Sequence, residues 1–336
     1  MVHGLWSVAT AVAAVTIAGT PAVAGAPVTY HRTVTLGTLG GASSAPQGLN
    51  DERAVVGWAE TGDGRTHPFL WRDGRMTDLG TLDDGDGGWG IAAAVNRWGT
   101  VAGQSRGPAG TRAVRWQNGG ITDLGTLGGD YSFATAINDS GTIAGASTTP
   151  DGSLHAFVWR RGTMTDLGVP GAREAFAEDI DNRGRIVGWR AAGDGTAAAY
   201  LWERGTVTFL PALGQGGRAR AINERGDVAG AVLAGGSSRA ARWRGTHLEL
   251  LGNLPGGNAA GALAVNDDGV ILGVGNVAPG SAEDHAFLWR HGTLVDLSTS
   301  GVPNSAVGLD DRLEIIGTVP NAAGDGPLAA LFVPAG

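Results

Sequence analysis

The 336-residue chain contains no cysteine and no lysine. Without thiols it has no disulfide, no thiolate metal site, no cysteine nucleophile and no lipid-modified cysteine. All 24 basic residues are arginine, scattered among 32 acids without a run of one sign, for a formal charge of −8. Such a surface offers no track for phosphates, so nucleic acid is not an expected partner. After the first 26 residues no apolar stretch reaches the roughly 20 residues a membrane span needs, so no span is expected in the mature chain. What is abundant is glycine, 59 residues, joined by 14 prolines. An interior glycine costs a helix about 1 kcal/mol relative to alanine, which excludes a mostly helical protein. The 42 % hydrophobic residues and 11 tryptophans exclude a solvated, coreless chain. Collagen is excluded because glycine does not recur at every third position.

The first 26 residues carry no acid, lysine or arginine. An apolar run from Leu5 to Ile17 precedes Ala22-Val23-Ala24, a small-x-small pattern that signal peptidase accepts, so residues 1–24 are expected to be a cleaved signal peptide. The n-region lacks its usual basic residue, and a short membrane anchor is the competing reading, although the run is too short to span. A lead, 25–32, and one domain, 33–333, follow. A secreted monomer is expected.

The mature chain is a repeat. Asn50, Asn96, Asn138, Asp181, Asn223, Asn266 and Asp310 hold one position, at intervals of 46, 42, 43, 42, 43 and 44 residues. Seven residues after each stands a glycine: Gly57, Gly103, Gly145, Gly188, Gly230, Gly273 and Gly317. Further on comes an aromatic, Trp71, Trp116, Trp159, Trp202, Trp243, Trp289 and Phe332. Asp78, Asp123, Asp166 and Asp296 lie seven residues beyond their tryptophans, with Phe209 and Leu250 in the other two places.

Each unit reads as four short strands separated by turn signals such as Asn-Asp-Ser-Gly and Arg-Arg-Gly. Asparagine and glycine are expected to hold their places because tight turns demand positive φ. Four strands at a period of 40–45 residues match a β-propeller blade. The last unit stops after Phe332 without its fourth strand, and the orphan Val34–Gly41 supplies it. An all-β, seven-bladed β-propeller of about 42-residue repeats is therefore expected, its ring closed by the N-terminal strand so that no sheet edge stays open. An open solenoid is the alternative.

The segments His155–Trp159 (HAFVW), His285–Trp289 (HAFLW), Thr122–Gly129 (TDLGTLGG) and Ala136–Gly141 (AINDSG) resemble the extracellular HAF-repeat family of bacterial proteins. The resemblance covers about residues 33–333. It implies an exported repeat protein and carries no settled activity with it. The histidine is not constant: Ala198, Arg239 and Leu328 stand in the place of His155 in three units.

Several motifs carry little chemistry. Gly103-Gln104-Ser105-Arg106-Gly107 matches a nucleophile elbow, which needs a strand-to-helix turn that this repeat does not offer. His67, His155 and His285 share one position, and their co-occurrence with Asp78, Asp166 and Asp296 points to a cross-strand pair rather than a metal site. The repeated tryptophans are expected in the core between blades. Aromatics that break the repeat are more informative: Trp58 and Trp189 follow the fixed glycine in two units, and Trp89 and Tyr131 precede Asn96 and Asn138 by seven residues. They are the candidate ligand-binding residues, a stacking surface for a sugar or a protein side chain. The insert holding Asp83, Asp84 and Asp86 is a candidate for Ca²⁺, with spacing unlike an EF-hand; no other cofactor is expected.

The function these features suggest is a secreted, non-catalytic scaffold that binds a protein or carbohydrate. The alternative is a carbohydrate-active hydrolase or lyase, which would need two carboxylates at the ring's mouth, drawn from Asp84, Asp86, Glu174 and Glu178.

Overall fold

The computed structural model describes residues 15–17 and 28–335, apart from 84, 86, 194, 282, 324 and 325. Among these residues every regular element is a strand. The third unit shows the pattern: Ser132–Ile137, Ile143–Thr148, Leu154–Arg160 and Thr163–Asp166 pair in sequence order, each antiparallel to the next. The same order recurs in the units beginning at Gly40, Gly90, Glu174, Gly217 and Ala260. Two of these units, the third and fourth, are joined into one sheet by a single parallel bridge, Leu154 to Glu174. The seventh unit contains Gly308–Leu309, Ile315–Pro320 and Pro327–Pro334, and its outermost strand is Tyr30–Gly37 from the other end of the chain.

Seven separate apolar clusters hold these units side by side. Each draws residues from two neighbours, as with Val158 and Leu167 of the third unit against Ile186, Tyr200 and Trp202 of the fourth. The cluster of Val55, Phe69 and Trp71 with Ile316 and Leu331 joins the first unit to the seventh, so the ring is closed. Because each sheet is covered on both faces, its middle strands are apolar throughout: Ala156, Phe157, Val158 and Trp159 are all buried. The outermost strands are four residues long in five units and largely exposed in four of these, which blunts them as templates for pairing with other chains.

The repeated glycines are explained differently from the expectation of turns. Gly57, Gly103, Gly145, Gly188 and Gly230 lie inside the second strands, and none has positive φ. A Cβ on Gly145 would land against the Phe133 carbonyl oxygen of the innermost strand, far inside van der Waals contact, and the others meet the same obstacle. Close backbone approach fixes them, not conformational freedom. Positive φ falls instead three residues after each asparagine, as at Gly141 (φ 77°).

The strand completing the ring begins at Tyr30, so the expected lead 25–32 is partly structural. Tyr30 pairs with Pro334, and its hydroxyl donates to the Leu313 carbonyl at 2.9 Å. The expected signal peptide lies outside the described residues except for Val15–Ile17, which runs parallel to Leu248–Leu250 at the edge of the fifth unit.

Candidate functional site

The ring has two mouths, and the asparagine turns build one of them. In Asn138, Oδ1 accepts from the amides of Ser140 (3.1 Å) and Thr142 (3.0 Å), closing the turn within the unit. Its Nδ2 donates to the Asp181 carbonyl of the next unit at 2.9 Å. Asn50, Asn96, Asn223 and Asn266 do the same to Asn96, Asn138, Asn266 and Asp310. One residue on, a second ring of bonds runs alongside: the amides of Arg97, Asp139, Asn182, Glu224, Asp267 and Asp311 donate to the side chains of Asp139, Asn182, Glu224, Asp267, Asp311 and Asp51. All seven units thus line an axial cavity of about 410 Å³ with an acidic rim. Burial pushes the Glu224 and Asp311 carboxyls above their usual range. Asp179, which takes a place held by alanine in Ala94, Ala136 and Ala221, is pushed up to about 7 by burial, although the Ile180 and Ile222 amides both donate to it at 2.8 Å. These carboxylates are occupied as acceptors that tie one unit to the next. Among the described residues no three acids or histidines converge on a point that could hold a metal ion.

Two units break the belt. At Asp181 the missing donor is replaced by Arg185, which binds the Asp181 carboxylate and donates onward to the Glu224 carbonyl at 3.2 Å. At Asp310 burial and the neighbouring Glu314 carboxylate push the carboxyl up to about 7, and its Oδ2 is buried without a partner. Arg53 of the first unit reaches across this seam to Glu314, its Nε 2.8 Å from Oε2.

The opposite mouth lies at the far ends of the innermost strands, and the sequence-predicted aromatics are found on this side. Trp58 pairs with Ala45, five residues before Asn50, and Trp189 pairs with Phe176, five before Asp181. At about 3.3 Å per residue, both stand some 15 Å from the acidic rim. The Trp189 ring stacks on Phe176, with 4.5 Å between centroids and 18° between planes, and Arg218 of the next unit lies 3.9 Å over the Trp189 ring. Trp189 Nε1 donates to Glu178 at 2.8 Å, and burial holds that carboxyl above the usual range. Glu178 and Arg220 are the extra residues of β-bulges in their strands, which re-aims their side chains out of the ordinary pleat. Arg218 and Arg220 border a cavity of about 420 Å³ whose wall is mostly apolar, with Leu233, Leu263 and Val274 among its residues.

Trp89 and Tyr131 occupy equivalent places: their carbonyls accept from the Arg106 and Thr148 amides, each at 2.8 Å. The Tyr131 ring packs on Phe133, 5.7 Å between centroids, and no ring contact between Trp89 and Tyr131 is present among the described residues. Asp83 closes its own turn by accepting from the Gly85 amide, while Asp84 and Asp86 lie outside the described residues. Glu174 is exposed at the start of its strand.

The remaining motifs are structural. His67, His155 and His285 place Nδ1 at 2.8, 2.6 and 3.0 Å from Oδ2 of Asp78, Asp166 and Asp296, as their co-occurrence suggested. Ser105 is fully buried; its Oγ accepts from the Leu82 amide and donates to the Trp89 carbonyl, and Ser147 repeats the arrangement in the next unit. One aromatic was missed: Trp98, two residues after Asn96, is 71 % exposed on the acidic-rim side. Its signal was available, since Glu52, Ser140, Arg183, Arg225, Asp268 and Arg312 hold that place in the other units.

No family model and no curated protein matches this sequence. Solved structures match it by shape. The β-propeller domain of the Trilobed protease from Pyrococcus furiosus superposes with a TM-score of 0.56 at 9 % identity, over 87 % of this chain and 96 % of that one. A Mycobacterium tuberculosis puromycin-hydrolysing peptidase gives 0.54 at 14 %, over 87 % of this chain and 52 % of its own, so the chain spans about half of that protein's length. YCF48, solved bound to D1 peptide, gives 0.51 at 15 %, over 93 % and 99 %. At these identities the likeness shows the architecture: the chain folds as a β-propeller.

Proposed function

We propose that the protein is a secreted, non-catalytic scaffold that captures a protein segment or a glycan at the mouth bearing Trp189. The observation that carries this reading is the Phe176–Trp189–Arg218 stack beside the roughly 420 Å³ apolar-walled cavity. An aromatic ring held between a planar neighbour and a guanidinium, at the border of an apolar-walled cavity, suits recognition by packing and a few polar contacts. The leader pattern and the HAF-type repeat support export, and YCF48 is an instance of the same architecture holding a peptide.

Glu178 gives the hydrolase alternative its one specific residue, a carboxyl held protonated more readily than usual by burial. A glycosidase needs a second carboxylate facing the first across the substrate. The adjacent Asp179 is committed to two backbone amides and lines the other cavity. Screening the purified chain against peptide and glycan arrays, with turnover of the glycans followed in parallel, separates the readings. Binding that is lost in Trp189→Ala without any turnover supports the scaffold; glycan cleavage abolished by Glu178→Gln establishes the enzyme.

A further inference from the structure

The exposed Trp98 stands at one end of a groove that crosses three units on the acidic-rim face. An opening of about 230 Å³ bordered by Trp98, Arg115, Trp159 and Arg161 shares Ser140, Gly141 and Arg161 with a second of about 490 Å³, which continues past Arg160 to Arg183. The Trp98 indole is held in place by its own Nε1, which donates to the Asp139 carbonyl of the next unit at 3.1 Å. Its polar edge is therefore used, and what it shows to solvent is ring. Six other units place polar or charged residues here, so the fold does not require an aromatic.

The charge of the groove opposes that of the molecule. In a chain with a net charge of −8, four guanidiniums gather along it. Arg115 and Arg160 lie over Trp159 and Trp202, 5.2 and 6.0 Å from the ring centres, and Arg115 Nε has no acceptor. Arg161 and Arg183 are exposed and, among the described residues, form no ion pair within 4 Å. Asp139, the carboxylate on this border, is already paired with Arg97 at 3.3 Å and accepts a hydrogen bond from Asn182 Nδ2 at 3.0 Å.

We propose that this groove binds an anionic oligosaccharide, with a pyranose face on Trp98 and its carboxylate or sulfate groups on Arg161 and Arg183. A lone planar ring followed by spaced guanidiniums fits a flat apolar sugar face linked to a charged one. Single-stranded nucleic acid calls for several aromatics in register, and this groove exposes one. A run of Asp or Glu side chains brings no ring to place on the indole. The site lies on the opposite face from Trp189 and stands independently of the function proposed above.

Titration calorimetry of the purified chain with hexagalacturonate, with a chondroitin sulfate hexasaccharide and with neutral cellohexaose tests it, the first two separating carboxylate from sulfate. Either charged hexamer is expected to bind saturably and better than cellohexaose, with an affinity that falls as salt is raised. Trp98→Ala is expected to weaken that binding by at least about tenfold. Arg161→Gln with Arg183→Gln is expected to abolish the salt dependence. Trp189→Ala should leave it unchanged, so failure here and failure of the other mouth are told apart. Because Trp98 is exposed, an unaltered melting curve for Trp98→Ala shows that the loss is local. Absence of binding by both charged hexamers, equal binding by Trp98→Ala, or tighter binding of hexaglutamate or oligo-dT each overturns the proposal.

Discussion

Asn138 and Asp181 lie 43 residues apart in sequence and meet at 2.9 Å, amide nitrogen to carbonyl oxygen, across the boundary between two blades. The bond does what neither residue's own sheet can do: it holds neighbouring blades in register at the axis. Asn138→Asp keeps the turn-closing oxygen and removes the donor. It is expected to destabilise the protein by about 1–3 kcal/mol in urea unfolding, the cost of a buried carbonyl left without its partner. Adding Thr142→Arg, which copies the natural Asp181–Arg185 arrangement, is expected to recover part of that loss.

Gly145→Ala is expected to be far more damaging. The added Cβ collides with backbone, which cannot turn aside as a side chain does, so a loss of about 3 kcal/mol or more is expected. Gly317→Ala serves as the internal comparison, because its Cβ would stand 3.1 Å from the Ser305 oxygen, tight but tolerable. Thermal melting of the two variants should rank them in that order.

Stability is expected to fall as pH rises toward neutrality. Asp310 and Asp179 are held at about 7 in the folded chain against 3.8 ordinarily. Between those values the folded state keeps protons that the unfolded state has released. Their contribution is therefore complete below about pH 4 and lost as pH climbs through about 7. Asp310→Asn should flatten this dependence and raise the unfolding midpoint at about pH 8, since an amide there donates as in the other units. Urea curves at about pH 5 and pH 8 check the sign.

The His285 imidazole is held above its usual range by its bond to Asp296, helped by Glu283, against a smaller opposing effect of burial. Asp296→Asn is expected to lower its midpoint in an NMR titration. Asp166→Ala, which removes the same pair in the third unit, is expected to cost about 1 kcal/mol in stability. An unchanged melting temperature would discard the idea that this pair fastens the hairpin.

The repeat makes the sheets legible in the sequence, because a fixed asparagine, a fixed glycine and a fixed tryptophan can recur in register only if each does the same work in every blade. What that work is was legible only in part. The tryptophans could be assigned to the core because a large apolar ring at one place per unit has few other uses, and Trp159 and Trp243 are indeed buried. The glycine at 145 looked like a turn residue, because sequence shows a missing side chain but not the Phe133 carbonyl that excludes it. The asparagine's second bond was hidden for the same reason: its acceptor belongs to a different unit. The Phe176–Trp189 stack was half visible, since Trp189 broke the repeat, whereas Arg218 entered only when the fourth and fifth blades were brought together. Trp98 is as irregular as Trp89 in sequence, and its exposure and its place on the opposite mouth set the two apart.

The pairing of Tyr30–Gly37 with Pro327–Pro334 has a consequence for the order of assembly. The four strands of each other unit are contiguous in the chain and can zip locally as they are synthesised, but this sheet is completed by segments some 300 residues apart. The loop-closure entropy of that joining falls on a single late step, after the intervening blades have shortened the effective gap. Until it occurs, the first blade and the last each present an uncovered apolar face, and those two faces are complementary. In concentrated solution the same complementarity is expected to let one unfinished chain complete another, at the seam where Tyr30–Gly37 pairs with residues 329–334.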